Sequence, residues 1–196
     1  TLFDKNTQML QNEFRQSNDK SNFIIDTGFV KDYKSSKGKK KNISHIFSKY
    51  KLNLDLENFV SSTLDFKLER TTNDTYLKIF DQYLLLNSVR PSNTSSLNNQ
   101  IKLNLDHENY NFDAEIATYE NLQSANSDKY QYILPSYNFN KNLKNNFLNG
   151  SIALNSNGNN NLNNTNVLTS NIVNNLSYSS INFVSNKGIK NNFNLN

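Results

Sequence analysis

The stretch Ile46–Arg70, IFSKYKLNLDLENFVSSTLDFKLER, decides how this chain folds. Ile46, Ser48, Tyr50, Leu52, Leu54 and Leu56 fall on one parity, and Lys49, Lys51, Asn53, Asp55 and Glu57 fall on the other. Successive side chains of a strand point to opposite faces, so this spacing predicts one apolar and one charged face. A helix would scatter Leu52, Leu54 and Leu56 around its circumference. After Glu57-Asn58 the pattern returns, with Leu64, Phe66 and Leu68 set against Thr63, Asp65, Lys67 and Glu69. Two alternating runs joined by a short polar turn predict an antiparallel hairpin.

Working outward, the same design recurs. Leu97, Ile101, Leu103 and Leu105 alternate with Asn98, Gln100, Lys102, Asn104 and Asp106; His107-Glu108-Asn109 turns the chain, and Tyr110, Phe112, Ala114 and Ile116 return. Upstream, Leu10 and Phe14 oppose Glu13 and Arg15, and SNDKSN over 17–22 turns the chain into an apolar run to Tyr33 whose inward parity is ambiguous. Lys31–Lys41 reads as a basic, solvated connection, because a net charge of +4 is modest for a nucleic-acid partner. Downstream, Pro135 inside Tyr130–Asn140 demands an edge, a bulge or a strand end, since proline donates nothing to a ladder. Further strands are expected from Phe147 to Asn155 and from Val167 to Phe183, the latter with a shift of face, separated by a flexible loop over Ser156–Asn166. Asn186-Lys187-Gly188 is a final turn.

Composition agrees with such a protein. Asparagine makes up about a fifth of the 196 residues and the hydrophobic share is 35%, below the roughly 45–50% of soluble globular domains. Disordered chains are aromatic-poor, whereas this one carries 10 Tyr and 13 Phe. Its apolar residues are rationed to one face of each strand. Without cysteine there is no disulfide or thiolate site. Neither a signal peptide nor a transmembrane helix is expected, but a membrane strand needs only about 9–11 residues with alternate apolar positions. The beginning at Thr1 and the ending NNFNLN suggest an internal fragment.

Alternation alone does not separate a soluble two-sheet sandwich from a membrane barrel. Tyrosines near strand ends, a polar face rich in charges and amides, and up-and-down hairpins without crossover helices favour the barrel. On that reading Glu13, Arg15, Lys51, Asp55, Asp65, Lys67, Lys102 and Asp113 face an aqueous lumen. Asp65 and Glu69 beside Lys67 form a charge ladder and not a catalytic carboxylate pair. His45 and His107 have no ligand-spaced partner and read as solvated. No nucleophile elbow, P-loop, dinucleotide fingerprint or zinc spacing occurs, so neither an enzyme nor a cofactor is expected.

Glu69–Phe80, ERTTNDTYLKIF, is the long break between the two hairpins and reads as an ordered loop. Its Arg70, Asp74, Thr75, Tyr76 and Leu77 resemble a phrase in the barrel of the family of the lipopolysaccharide-assembly protein LptD, also called the organic solvent tolerance protein. Tyr119-Glu120-Asn121-Leu122 and then Tyr132-Ile133-Leu134-Pro135-Ser136-Tyr137, with Leu134 and Pro135 as its core, follow in the order that family has, and Asn186-Lys187-Gly188 falls at a turn glycine. The resemblance implies that residues 1–196 are the N-terminal part of that barrel in the outer membrane of a Gram-negative bacterium, without the periplasmic jelly-roll domain and the remaining strands. It also implies transport of lipopolysaccharide into the outer leaflet, an LptE-type plug lipoprotein in the lumen, an LptA-type periplasmic bridge docking on the missing domain, and contact with outer-membrane lipid. The family places prolines in its first strands and Thr1–Tyr33 has none, so no lateral gate is assigned to residues. Other classes weighed are a porin-like channel, an Asn-rich secreted β-adhesin and a barrel phospholipase. The adhesin reading lacks a fixed repeat, and the phospholipase reading has only His45 on a strand.

Overall fold

The structure is a computed structural model, and it describes residues 7–34, 38, 40–124, 129–145, 149–163 and 166–196. Nine long strands form an antiparallel meander: β1 Gln8–Ser17, β2 Ser21–Lys34, β3 Lys40–Asn53, β4 Phe59–Thr71, β5 Ser96–His107, β6 Tyr110–Asn121, β7 Tyr130–Asn145, β8 Gly150–Asn163 and β9 Val167–Ser180. Between β4 and β5 lie a helix, α1 Tyr76–Phe80, and one 3₁₀ turn, Asp81–Tyr83. Short strands β10 Phe183–Val184 and β11 Lys190–Asn191 pair with each other, and β12 Asn194–Leu195 pairs with β9. The main sheet has ten strands in the order β1 to β9 and then β12, so from β1 to β9 every neighbour in sequence is a neighbour in space, and the sheet is not closed. Strands β2 to β9 run 12 to 16 residues, longer than the roughly 9–11 needed to cross hydrocarbon.

The registers turn the sequence alternation into two faces. On the outward face Phe23, Tyr50, Phe66, Ile101 and Ile116 stand opposite one another across five strands. One step along, on the other face, Lys51, Asp65, Lys102 and Glu115 form a row of alternating sign. Opposite charges facing across a ladder each contribute roughly 0.2–1 kcal/mol, so the row reinforces the register that the apolar row sets. Turn chemistry fits as well. Asn18 Oδ1 accepts from the backbone N–H of Lys20 and Ser21 at 3.0 and 2.7 Å, and Asn58 takes φ 68°, a left-handed conformation that Asn tolerates.

Several boundaries differ from the sequence expectation. Strand β3 stops at Asn53 and not at Leu56; Asp55 takes φ 49° and pairs with Lys20 at the turn, so it leaves the charged face it was assigned to. Lys31–Lys41 is not one loop, because β2 runs to Lys34 and β3 starts at Lys40; positions 35–37 and 39 lie outside the described residues. The Asn-rich run expected as a flexible loop continues β8 to Asn163, in unbroken register with β9, and β9 shows no shift of face. Amide side chains neither clash with nor terminate a ladder; they only fail to bury. The strand expected from Phe147 starts at Gly150, and Phe147 itself lies outside the described residues. Pro135 sits at a bulge, where Leu134 and Pro135 interrupt the register with both β6 and β8. The missing N–H is thereby placed where the ladder already breaks.

A single sheet buries little, and the core sits where a second layer exists. Residues Asn73–Arg90 fold back over the charged face of β1 to β3 as a strap. Tyr76, Leu77, Phe80, Leu84 and Val89 from the strap meet Met9, Val30, Ile43 and Phe47 from the strands, with Leu97 and Leu122 at the margin. Phe47 and Tyr76 are fully buried, and each such side chain contributes about 1.5–3 kcal/mol.

Candidate functional site

The strap is rooted by Thr72, whose backbone N–H donates to the Ser44 carbonyl at 3.0 Å and whose hydroxyl accepts from the Ser44 N–H at 2.7 Å. Asn73 Oδ1 then accepts from both the N–H and the hydroxyl of Thr75, at 2.9 and 2.6 Å, and starts α1. The break expected over Glu69–Phe80 therefore divides. Glu69, Arg70 and Thr71 complete β4, and Tyr76–Phe80 is helical and not an open loop. Tyr76 packs against the sheet with its side chain fully buried.

Beneath the strap a hydrogen-bonded chain crosses three strands. Tyr76 Oη lies 2.8 Å from His45 Nδ1, and His45 Nε2 lies 3.3 Å from Asp26 Oδ1. Asn87 Nδ2 donates to Asp26 Oδ2 at 2.9 Å and to Glu13 Oε2 at 2.8 Å, while its Oδ1 accepts from the N–H of Val89 and Arg90. Burial pushes the Tyr76 hydroxyl pKa up, with the Asp26 carboxylate adding to the effect, so the hydroxyl keeps its proton in its contact with His45. His45 is thus not the solvated histidine expected from its polar parity; the strap covers that parity here, and the side chain has no exposure. Asp26, His45 and Tyr76 follow the order of an acid–base relay, with Tyr76 wholly buried beneath the strap.

Sequence reasoning missed Asp26 and Asn87, but a signal existed. Met9, Ile24, Val30, Ile43 and Phe47 are apolar residues on the parity that elsewhere carries charge. An apolar group on a water-facing parity asks for a cover.

Beside the strap the charged face opens into a cleft of about 390 Å³ lined by Lys49, Lys51, Lys67, Lys102, Asp65 and Gln100, with Asn22 and Ile24 at its edge. Four ammonium groups meet one lining carboxylate. Lys67 is also paired with the buried Glu69 at 2.6 Å, and Glu69 in turn accepts from the Asn98 N–H at 2.7 Å. Lys49 Nζ donates to the Ser88 carbonyl of the strap. Of the residues expected on this face, Glu13, Arg15, Lys51, Asp65, Lys67, Lys102 and Asp113 share it by register. Lys51, Asp65, Lys67 and Lys102 line one cleft; Glu13 and Arg15 pair with each other near β1's turn end; Asp113 lies further along, opposite Asn138. Among the described residues no cluster of His, Cys, Asp or Glu has metal-binding geometry.

The residues of the family-like phrase separate in space. Leu77 and Tyr76 are buried, Arg70 points outward at the end of β4, and Leu134 and Pro135 are exposed at the bulge. Asp74 pairs with Lys129 at 2.8 Å, and Lys129 also reaches Glu120 at 2.9 Å, tying the strap's root to the β6–β7 end. These carboxylates push the Lys129 pKa up, the hydrogen bond with Asp74 most of all.

The outward face is apolar and exposed. Leu10 is 72% exposed, and Ile101, Ile116, Ile172 and Leu176 also stand free. Aromatic rings gather at its two ends: Phe59, His107, Tyr110 and Phe139 in sequence at the tight turns, with His107 and Tyr110 stacked at 4.6 Å, and Tyr130 and Tyr132 stacked at 6.2 Å at the strap end. Comparison with protein-family models, curated proteins and solved structures finds no match for this chain.

Proposed function

We propose that this chain is part of the wall of a large outer-membrane β-barrel of the LptD type, which passes lipopolysaccharide to the outer leaflet of a Gram-negative bacterium. One observation carries the reading: a single register sets a continuous apolar row on one face and a continuous charged row on the other, with the apolar face left bare. Such a sheet suits a barrel wall with hydrocarbon on one side and water on the other. Aromatic groups at both ends of the apolar face suit the two membrane interfaces. The phrase Arg70–Phe80 supports the choice of family, and the lysine-rich cleft suits the phosphorylated sugar head of the cargo while its acyl chains stay near the wall. On this reading an LptE-type lipoprotein occupies the lumen, an LptA-type bridge delivers cargo through a separate domain, and no reaction is catalysed.

Cysteine labelling of the full-length protein in outer membranes tests the face assignment. Asp65→Cys and Lys67→Cys should react with a water-soluble maleimide, and Phe66→Cys and Ile101→Cys only with a lipid-soluble one. The reverse pattern would turn the sheet inside out and end the proposal. Charge reversal at Lys51 and Lys102 should then lower surface lipopolysaccharide in cells whose barrel is assembled at normal levels, which a general diffusion channel would not do.

A further inference from the structure

The lysine cleft and the strap meet at one side chain. Lys49 lines the cleft, and its ammonium donates to the Ser88 carbonyl. A lysine stem has four rotatable carbons and a compact charge with three donors, so unheld it spends its time in water. One donor fixed on Ser88 leaves two for a ligand. The strap that offers this carbonyl is itself stiff. Asn87 is bound at both ends of its amide, Arg90 Nη2 donates to the Asp81 carbonyl at 2.9 Å, and Leu84 and Val89 on either side are buried. The strap also grips the edge strand: Gln11 Nε2 donates to the Tyr83 carbonyl at 2.7 Å, and the Leu85 N–H donates back to Gln11 Oε1 at 3.2 Å. Between these anchors Leu86 is 91% exposed, an apolar group standing two residues from the carbonyl that holds Lys49.

We propose that the strap is a working part of an anion site: a phosphate-bearing group binds among Lys49, Lys51, Lys67 and Lys102, and the site is complete only while Ser88 holds Lys49 in place. This deepens the transport reading and rests on it. The cleft takes phosphate or pyrophosphate groups of an amphipathic molecule, with Leu86 offering its acyl part a foothold. Coupling is reciprocal, so an anion that orders Lys49 must also tighten the strap on β1 to β3. Asp65 offsets one of the four ammonium charges, so the lining stays positive, which favours a polyanion and repels a cation.

The test uses full-length protein in detergent micelles, with inorganic pyrophosphate and a diphosphorylated, acylated glucosamine disaccharide as separate probes. Pyrophosphate should slow amide hydrogen exchange at 84–90 in the unaltered protein. Asn87→Ala, which touches no cleft group, should weaken pyrophosphate binding by about 5- to 10-fold, within the usual range of coupling between sites. Lys49→Gln should weaken it as well and abolish the exchange effect, whereas Lys51→Gln should weaken it with the exchange effect preserved at saturation. Leu86→Ser should weaken the acylated probe alone; if it weakens neither, the cleft takes free phosphates and the foothold is wrong. Pyrophosphate binding with no change in strap exchange would overturn the coupling and leave the cleft standing. No binding of either probe would overturn the cleft and the coupling together.

Discussion

Strands β2–β3 and strands β8–β9 are built to the same length and the same antiparallel plan, yet they belong to different physical regimes. In the first pair Val30 and Phe47 have no exposure, and Asp26 and His45 are buried with them; in β9 no residue is buried at all. The ladders are equally continuous apart from one irregularity near Asp32. What separates them is the second layer. A strap over β1 to β3 converts a wet face into a core, and buried polar groups there must find partners. Where no strap reaches, the same face carries Asn155, Asn157, Asn159, Asn171 and Asn175 beside Ala153 and Val173, amides that need no covering layer.

Tyr76→Ala should break this contrast most severely. It removes a fully buried ring and leaves His45 without its hydroxyl, at a cost of about 3–5 kcal/mol. On the proposed reading the expected outcome is failed barrel assembly, measured by the fraction that resists unfolding in detergent gels. On that same reading, a variant that assembles normally and yet loses transport would assign Tyr76 to the cargo and not to the wall.

A matched pair of glycines sharpens the comparison. A Cβ on Gly28 would stand 2.2 Å from the His45 ring, and one on Gly158 would stand 2.2 Å from the Tyr137 ring. The clash is the same, but the escape differs. His45 is stacked on Phe47 at 4.3 Å and bonded at both nitrogens under the strap, whereas Tyr137 lies on the open outward face with one hydroxyl contact to Ser156. Gly28→Ala should cost about 1–3 kcal/mol and Gly158→Ala distinctly less, by urea unfolding of the two variants in one detergent. Equal losses would mean that the strap confers no rigidity.

Alkaline titration gives a smaller effect. The Tyr76 hydroxyl ionises at higher pH in the folded chain than its unfolded value of 10.0. A raised pKa means that its contribution is complete below about pH 10 and is lost as pH climbs toward the folded value. Tyr76→Phe should therefore flatten the fall in stability above pH 10 relative to the unaltered protein; parallel curves would place Tyr76 in water. At the far end of the scale, Asn159→Ala on the uncovered face should change stability by no more than about 0.5 kcal/mol in the same unfolding measurement.

Much of this was legible from residue order. The two hairpins and the common face of Lys51, Asp65, Lys67 and Lys102 follow from a period of two, which survives any detail of packing, while Pro135 left an edge, a bulge or a strand end open and the fold took the bulge. Asp55 was misplaced because the alternation runs on past the point where a left-handed residue ends the strand, and only backbone geometry marks that point. The Asn-rich half of β8 was misread because amide composition reports on burial, not on ladder formation.

By itself the sequence determined which side is apolar and which is charged in the strands of the two clear hairpins, β3–β4 and β5–β6, because alternation is local and each of those strands carries its own copy. Tertiary structure alone decided that His45, Asp26, Asn87 and Glu13 form one network, and that Lys49 belongs to both a cleft and a strap. Those partners lie 19 to 74 residues apart, and nothing local in a chain records which distant segment folds back to cover a face.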